Sequence, residues 1–285
     1  MSHIGQLNGA RSFDREEVAD LFARLSVEAA VAVMQVYETR SGLREKPDHS
    51  PVCDADERAE AIILDGLAKH LPGIPVLAEE AAARGVKPAC GSTFILVDPV
   101  DGTREFLSHN GEFTINIALI QGGVPCAGAV YAPALERLWM AGSHAFTCSV
   151  APGKALPPGS EWHPISVRKP SSHGLVALAS RSHCDPQTEA FLADLPILER
   201  RSAGSSLKFC AIAEGEADVY PRFGPTMEWD TAAGDAVLRA AGGAVLDVDG
   251  RPLAYGKAHA QYKNGAFVAW GDRQGRGVKA RLTDR

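Results

Sequence analysis

The stretch "FILVDPVDGTREF", Phe94 to Phe106, constrains this chain more than any other. Four consecutive apolar residues, Phe94-Ile95-Leu96-Val97, read as a buried strand that runs straight into Asp98 and Asp101. Two carboxylates three residues apart at the mouth of such a strand repel each other and lose hydration, so something positive must sit between them. Pro99 fixes φ and Gly102 permits a tight backbone, which lets both carboxylates and the Val100 carbonyl point the same way. Hard oxygen ligands converging in this manner suit Mg²⁺, which keeps several waters and shares phosphate oxygens with a substrate. A helix starting near Thr103 would add free N–H groups as a phosphate-binding end. An Asp-capped turn satisfies the same hexapeptide, and the local pattern alone does not separate the two.

The totals narrow the setting. A chain of 285 residues buries a large core and suggests two domains or one large one. Its net charge of -6 leaves no basic excess to neutralise phosphates, which argues against a nucleic-acid polymer as the main partner. A small anion needs only a few local cations or metals. Cys53, Cys90, Cys126, Cys148, Cys184 and Cys210 are scattered with no C-x-x-C pair, which fits a reducing cytoplasm better than a disulfide scaffold or zinc knot. "MSHIGQLNGARSF" lacks an apolar signal core, and no segment approaches the length of a membrane span.

Periodicity organises the rest. From Asp14, "DREEVADLFARLSVEAAVAVMQVYETR" carries Val18, Leu21, Phe22, Leu25, Ala29, Val33 and Val36 at helical spacing, and Asp14 with Glu17 resembles a capping box. A second helix is expected from near Asp56, then a short extended piece at Val76-Leu77. "EFTINIALIQGG" and "PCAGAVYAPALERLWMAG" suggest antiparallel strands. "SVAPGKALPPGSEWHP" is dense in Pro and Gly and marks a candidate boundary near 150 to 162. That would separate an N-terminal α+β domain, 1–150, from a C-terminal α/β domain, 163–285. Beyond it, "GLVALASRSH" and "ADVYPRF" read as strands, "CDPQTEAFLADL" and "SSLKFCAIAEG" as helices, followed by a helix from Thr231 to Ala241 and a hairpin "AVLDVDGRPLAYG". The mixture points to a layered α+β or α/β architecture.

Further acids accompany the central loop. Glu79 and Glu80 follow the short strand; Asp56 precedes "ERAEAII"; Asp230 stands in "EWDTAAGDAV". Singly, each fits a helix start or cap. Taken in order, "LAEE" at 77–80, "DPVDGTREF" at 98–106 and "EWDTAAGDAVLRAAGG" at 228–243 resemble the lithium-sensitive, Mg²⁺-dependent phosphomonoesterase superfamily that contains inositol monophosphatases and fructose-1,6-bisphosphatases. The resemblance covers nearly the whole chain and implies the layered αβαβα sugar-phosphatase-like α+β fold. Within it, "SPVCDAD" at 50–56, "SRSHCDPQTEAFL" at 180–192 and "GSSLKFCAIAEGEADVYPRFGPTMEWDTAAGDA" at 204–236 are most similar to bacterial 3′(2′),5′-bisphosphate nucleotidases. Cys53 stands where that family more often has threonine, without removing a ligand.

The resemblance implies metal ligands at Glu79, Asp98, the Val100 carbonyl, Asp101 and Asp230, holding two or three Mg²⁺ ions. It implies Thr103 and Asp56 as the dyad that orients and deprotonates water, with Glu79 assisting, and inhibition by Li⁺. It assigns Gly102, Thr103, Ser205, Lys208 and Arg222 to the substrate, the last three to an uncleaved 5′-phosphate, and His183 to the adenine. The substrate so implied is adenosine 3′,5′-bisphosphate, a small bisphosphorylated nucleotide from sulfur metabolism. Inositol monophosphatases tend to carry an acid where Arg222 stands, so Arg222 separates the nucleotidase from sugar-phosphate phosphatases sharing the metal site. Read without the family, Lys208 is an ordinary helix-surface lysine and Arg222 an exposed strand end. A catalytically silent nucleotide or Mg²⁺ sensor is a further rival; against it, none of the acids nor Thr103 has been lost.

Overall fold

The computed structural model describes residues 13–39, 43–45, 51–179 and 185–272. The chain opens with α1 (Arg15–Thr39), a ribbon of β1 (Leu43–Glu45) and β2 (Pro51–Cys53), and α2 (Asp54–His70). Then come β3 (Val76–Ala78), α3 (Glu79–Ala83), β4 (Thr93–Asp101), α4 (Thr103–Leu107), β5 (Thr114–Gln121), β6 (Val124–Ala132), β7 (Arg137–Ala141), β8 (Ala145–Ser149) and β9 (His163–Pro164). The remainder is β10 (Leu175–Ala179), α5 (Pro186–Ala193), β11 (Ile197–Ser202), α6 (Leu207–Ala213), β12 (Val219–Arg222), β13 (Thr226–Met227), α7 (Trp229–Ala240), β14 (Ala244–Asp247), β15 (Lys263–Asn264) and β16 (Phe267–Trp270).

Strands β3 to β9 form one sheet in sequence order, antiparallel except for β3 beside β4. A second sheet has the order β11-β10-β12-β16-β14. The apolar runs of the sequence are explained by what covers these sheets. Ile95 and Val97 of β4, Ile115, Ile117 and Leu119 of β5, and Ala129 and Tyr131 of β6 pack with α1 and α2. The alternate residues Phe94, Leu96, Ala118, Ile120, Val130 and Ala132 face α6, α7 and the second sheet. Because side chains alternate across a strand, helices on both faces demand apolar residues at every position. The second sheet does the same: Tyr220, Phe267 and Ala269 join the middle core, while Val219, Val268 and Trp270 pack with Leu192 and Phe191 of α5. The layers are therefore helix, sheet, helix, sheet, helix, the αβαβα arrangement of the sequence reading.

Boundaries differ in detail. Asp14 accepts from the Glu16 and Glu17 N–H groups and caps α1 as expected. α2 starts at Asp54, two residues before the expected point, so Asp56 lies inside its first turn. The second arm of the expected hairpin at 244–256 reduces to one bridge, Leu246 with Pro252, while β14 pairs along its other edge with β16.

α7 is held between the two sheets at close range. A Cβ built on Gly234 would lie 2.5 Å from the Phe209 ring. Phe209 is itself enclosed by the Tyr220 and Phe267 rings and has no room to retreat. Alanine at 234 gains up to about 1 kcal/mol of helix propensity, but overpacking of this kind costs about 1–3 kcal/mol. Gly234→Ala is therefore expected to lower the denaturant midpoint; an unchanged or raised midpoint would show that this packing has slack.

Candidate active site

A break in strand pairing creates the site. β4 and β5 pair in register from Thr93↔Gln121 to Asp98↔Asn116, then shift to Asp101↔Thr114. Two residues of β4, Pro99 and Val100, thus stand opposite one of β5, which is a β-bulge. In a regular strand, residues three apart point to opposite faces. The inserted residue resets the alternation, so Asp98 and Asp101 both face the middle layer while Val100 faces α1 and α2. Pro99 suits the position because it has no N–H to contribute to a ladder. Gly102 follows at φ +91°, where a Cβ would press on Ser205 at 3.2 Å, and α4 begins at Thr103.

Three elements bring further carboxylates to this point. Glu79 is the first residue of α3, after β3. Asp230 lies in the first turn of α7, and Asp56, buried, in that of α2. Carboxylate oxygens of Glu79, Asp98 and Asp230 lie within 4.8 Å of one another. Burial first, then the charges of Glu79, Asp101, Asp230 and Asp56, pushes the Asp98 carboxyl well above its ordinary range. Asp230 is raised likewise, by burial and then by Asp101 and Glu79. Asp230 does not serve as the side-chain cap of the helix that follows, the alternative its position offers when it is read alone. It instead accepts from the Met227 N–H at 2.8 Å and closes the turn before the helix.

Asp98 and Asp101 receive directed hydrogen bonds. The Val100 N–H donates to Asp98 Oδ1 at 3.1 Å. Asp101 Oδ2 accepts from the Ser205 hydroxyl, the Ser206 hydroxyl at 3.2 Å and Asn116 Nδ2 at 3.4 Å. Thr114 Oγ1 lies 2.5 Å from Ser205 Oγ. Thr114 also donates to Asn116 Oδ1 at 3.0 Å, so Thr114, Asn116 and Ser205 form one connected network around Asp101. Asn116, Thr114 and Ser206 were not singled out in the sequence. The available signal was the alternation itself, which puts Thr114 and Asn116 on the same face as Asp98.

The segment 203–208 joins the second half of the chain to this cluster. Gly204 N–H donates to Glu112 at 2.8 Å, and a Cβ at Gly204 would lie 2.5 Å from the Glu112 carbonyl oxygen, so only glycine permits this approach. Ser205 takes the left-handed conformation, φ +50°. Lys208 is no surface lysine. It is buried, donates to the Ala203 and Ser205 carbonyls at 3.1 and 2.6 Å, and lies over the Tyr220 ring. Burial pushes its pKa down to about 8, against the opposing pull of Asp101. Arg222, at the end of β12, donates through Nη2 to the Pro225 carbonyl at 3.2 Å, and its buried Nε has no hydrogen-bond partner. His183 lies outside the described residues.

These residues fit a hard divalent cation. Their donors are all oxygen, Asp98 is buried and Glu79, Asp101 and Asp230 half-buried, and among the described residues no Lys, Arg or His forms an ion pair with Asp98, Asp101 or Asp230. The whole-chain comparison decides the relationship. The inositol monophosphatase family model matches residues 14–277.

The chain belongs to the inositol monophosphatase family. Within that family, it is 43% identical over 238 residues to the 3′(2′),5′-bisphosphate nucleotidase CysQ of Shigella flexneri, covering 83% of this chain and 93% of that protein. CysQ of Escherichia coli K12 is also 43% identical, over 243 residues, with the same coverage. Among solved structures, CysQ from Bacteroides thetaiotaomicron superposes with a TM-score of 0.75 at 38% identity, covering 89% of this chain and 97% of that one. Inositol monophosphatase from Anabaena shares the fold, with a TM-score of 0.71 at 23% identity and coverage of 94% and 96%.

Repulsion within the cluster makes a prediction of opposite signs. Without divalent cations, Asp98→Asn relieves repulsion yet keeps an acceptor for the Val100 N–H. Its thermal midpoint is expected to rise, by about 2–4 °C for each kcal/mol relieved. Adding Mg²⁺ is expected to raise the wild-type midpoint, since ligands of the folded state stabilise it, and to leave the variant unmoved. A variant that melts lower and keeps the full Mg²⁺ gain would contradict this account of the cluster.

Proposed function

We propose that this chain is a Mg²⁺-dependent 3′(2′),5′-bisphosphate nucleotidase that hydrolyses adenosine 3′,5′-bisphosphate to AMP and inorganic phosphate. The observation that carries the reading is the pairing of a carboxylate cluster centred on the buried Asp98 with two cations on neighbouring elements, Lys208 and Arg222. A substrate with one phosphate needs only the first. A nucleotide with two needs both, because the metals serve the phosphate that is cleaved. The 43% identity to CysQ nucleotidases over most of the chain supports the same choice.

In this reading Glu79, Asp98, Asp101, Asp230 and the Val100 carbonyl hold two or three Mg²⁺ ions. When bound, the ions supply Lewis-acid activation of water and neutralise charge on the departing ribose oxygen. The protein's own residues then have separate tasks. Thr103 orients the attacking water and passes its proton toward Asp56, with Glu79 assisting. Asn116, Ser205 and Ser206 keep Asp101 from rotating, by occupying one of its two oxygens. Lys208 and Arg222 grip the 5′-phosphate by charge-assisted hydrogen bonds. Ser205 has its hydroxyl committed to Asp101, which leaves its backbone N–H for that phosphate. Gly102 and Thr103 line the cleaved phosphate, and the family resemblance assigns His183 to the adenine. An inositol monophosphatase would share the metal ligands but leave Arg222 and Lys208 without an anion to meet; fructose 1,6-bisphosphate also brings a second phosphate, and against it the identity to CysQ nucleotidases favours the nucleotide. The Pro- and Gly-dense stretch near 150–162 divides an N-terminal unit bearing most ligands from a C-terminal unit bearing the nucleotide residues.

The testing experiment is phosphate release with Mg²⁺ from adenosine 3′,5′-bisphosphate, inositol 1-phosphate and fructose 1,6-bisphosphate at equal, low concentrations. A preference of about a hundredfold for the nucleotide is expected, or ~2.7 kcal/mol of transition-state binding. Arg222→Glu should abolish most of that preference; equal losses on all three substrates would refute the role of this arginine.

Lys208 adds a pH dependence. Its depressed pKa, about 8, means that the ammonium is present below that pH and lost above it. Its grip on an anion is therefore complete at pH 7 and fades as pH rises through 8, and kcat/KM reports ionisations of the free enzyme. The kcat/KM for the nucleotide is expected to fall above pH 8 in the wild type but to run flat there in Lys208→Met. Parallel profiles in the two proteins would remove Lys208 from the substrate site.

A further inference from the structure

Glu60 belongs to none of the motifs above, yet it joins two of the elements that build the site. It lies on α2, one helical turn after Asp56, with a side chain only 1% exposed. One carboxylate oxygen, Oε2, accepts from the backbone N–H of Glu80 at 2.7 Å. The other, Oε1, accepts from Arg84 Nη2 at 2.9 Å. Both partners belong to α3 or its end: Glu80 is its second residue and Arg84 its C-terminal cap.

α3 has a particular need of this carboxylate. Helix starts leave N–H groups unpaired, and a side chain at the residue before the helix normally takes one. Here that residue is Ala78, which has no side-chain acceptor. Glu60 supplies the acceptor from a different helix. The bonded N–H belongs to the peptide linking Glu79 to Glu80, so the contact fixes the peptide plane on which Glu79 is mounted. α3 has five residues, too few to set its own direction. The same carboxylate, on the same helix as Asp56, therefore sets the relative placement of Asp56 and Glu79. The Arg84 side chain is 53% exposed, so its ion pair contributes little strength and serves to orient the carboxylate.

We infer that Glu60 is a positioning residue for the metal site, holding Glu79 at ligand distance by accepting the Glu80 N–H. This rests on the reading of Glu79 as a metal ligand. The test is Mn²⁺ binding to the full chain, free of metal and substrate, followed by electron paramagnetic resonance, with phosphate release measured alongside.

Glu60→Ala is expected to weaken Mn²⁺ binding tenfold or more. Glu60→Gln keeps an oxygen acceptor for the Glu80 N–H and is expected to stay within threefold of wild type. In phosphate release, the Mg²⁺ concentration for half-maximal rate should rise in Glu60→Ala, while the nucleotide KM at saturating Mg²⁺ holds. A merely structural role would lower the thermal midpoint and leave the affinity of the folded protein unchanged. Glu60→Asp withdraws the acceptor by one methylene and serves in place of Glu60→Ala if the latter does not fold.

Wild-type affinity in Glu60→Ala, or equal losses in the Ala and Gln variants, overturns the inference. If the wild type binds Mn²⁺ and Glu60→Ala does not, while neither releases phosphate from the nucleotide, the clamp stands and the proposed substrate falls. If the wild type binds no Mn²⁺, the metal reading fails and the inference with it.

Discussion

Carboxylates that repel one another inside the protein are the interaction on which the rest of this structure depends. Asp98 and Asp56 are buried, with Glu79, Asp230 and Asp101 half-buried beside them, and burial together with mutual charge drives Asp98 and Asp230 toward protonation. Such an arrangement costs free energy in the absence of a cation. It persists because each acid is mounted on an element that is rigid for other reasons. Asp98 and Asp101 end a strand buried on both faces, Asp56 and Asp230 sit in first turns of long packed helices, and Glu79 is mounted on a peptide clamped by Glu60.

Two devices convert that rigidity into convergence. The bulge at Pro99-Val100 turns two aspartates onto one face, where an unbroken strand would have separated them. The turn at 203–206, drawn against Glu112 through Gly204, then delivers two serine hydroxyls to Asp101 from the other half of the chain. α7 stands between the sheets and contributes Asp230, so the middle layer of the fold is both core and site. Lys208 and Arg222 border the same layer, which places positive charge near the acids, and among the described residues no ion pair quenches either.

Much of this was legible in the chain. Helical spacing marked α1, α2 and α7, and the apolar run before Asp98 marked the central strand. The order of the three acidic motifs identified the family that the whole-chain comparison supports. Other features were not legible, for definite reasons. Glu60 looks like any exposed helix glutamate, since nothing local says that a helix lacking its own cap will stand opposite. Lys208 in "SSLKFC" has the look of a surface residue, because its burial depends on the Tyr220 ring and the carbonyls of a left-handed turn. Thr114, Asn116 and Ser206 are ordinary polar residues until register and packing put them beside Asp101.

The sequence by itself determined the inventory: which acids exist, where strands and helices run, and that a carboxylate pair ends a buried strand. These follow from local periodicity, turn chemistry and residue type, which act over a few residues. Only the tertiary structure decided which oxygen of Asp101 is occupied, which lysine is buried, and which glutamate caps a helix not its own. Those outcomes depend on contacts between residues far apart in the chain, up to 105 positions for Ser206 and Asp101. Such contacts are set by layer packing and register, which no local pattern encodes.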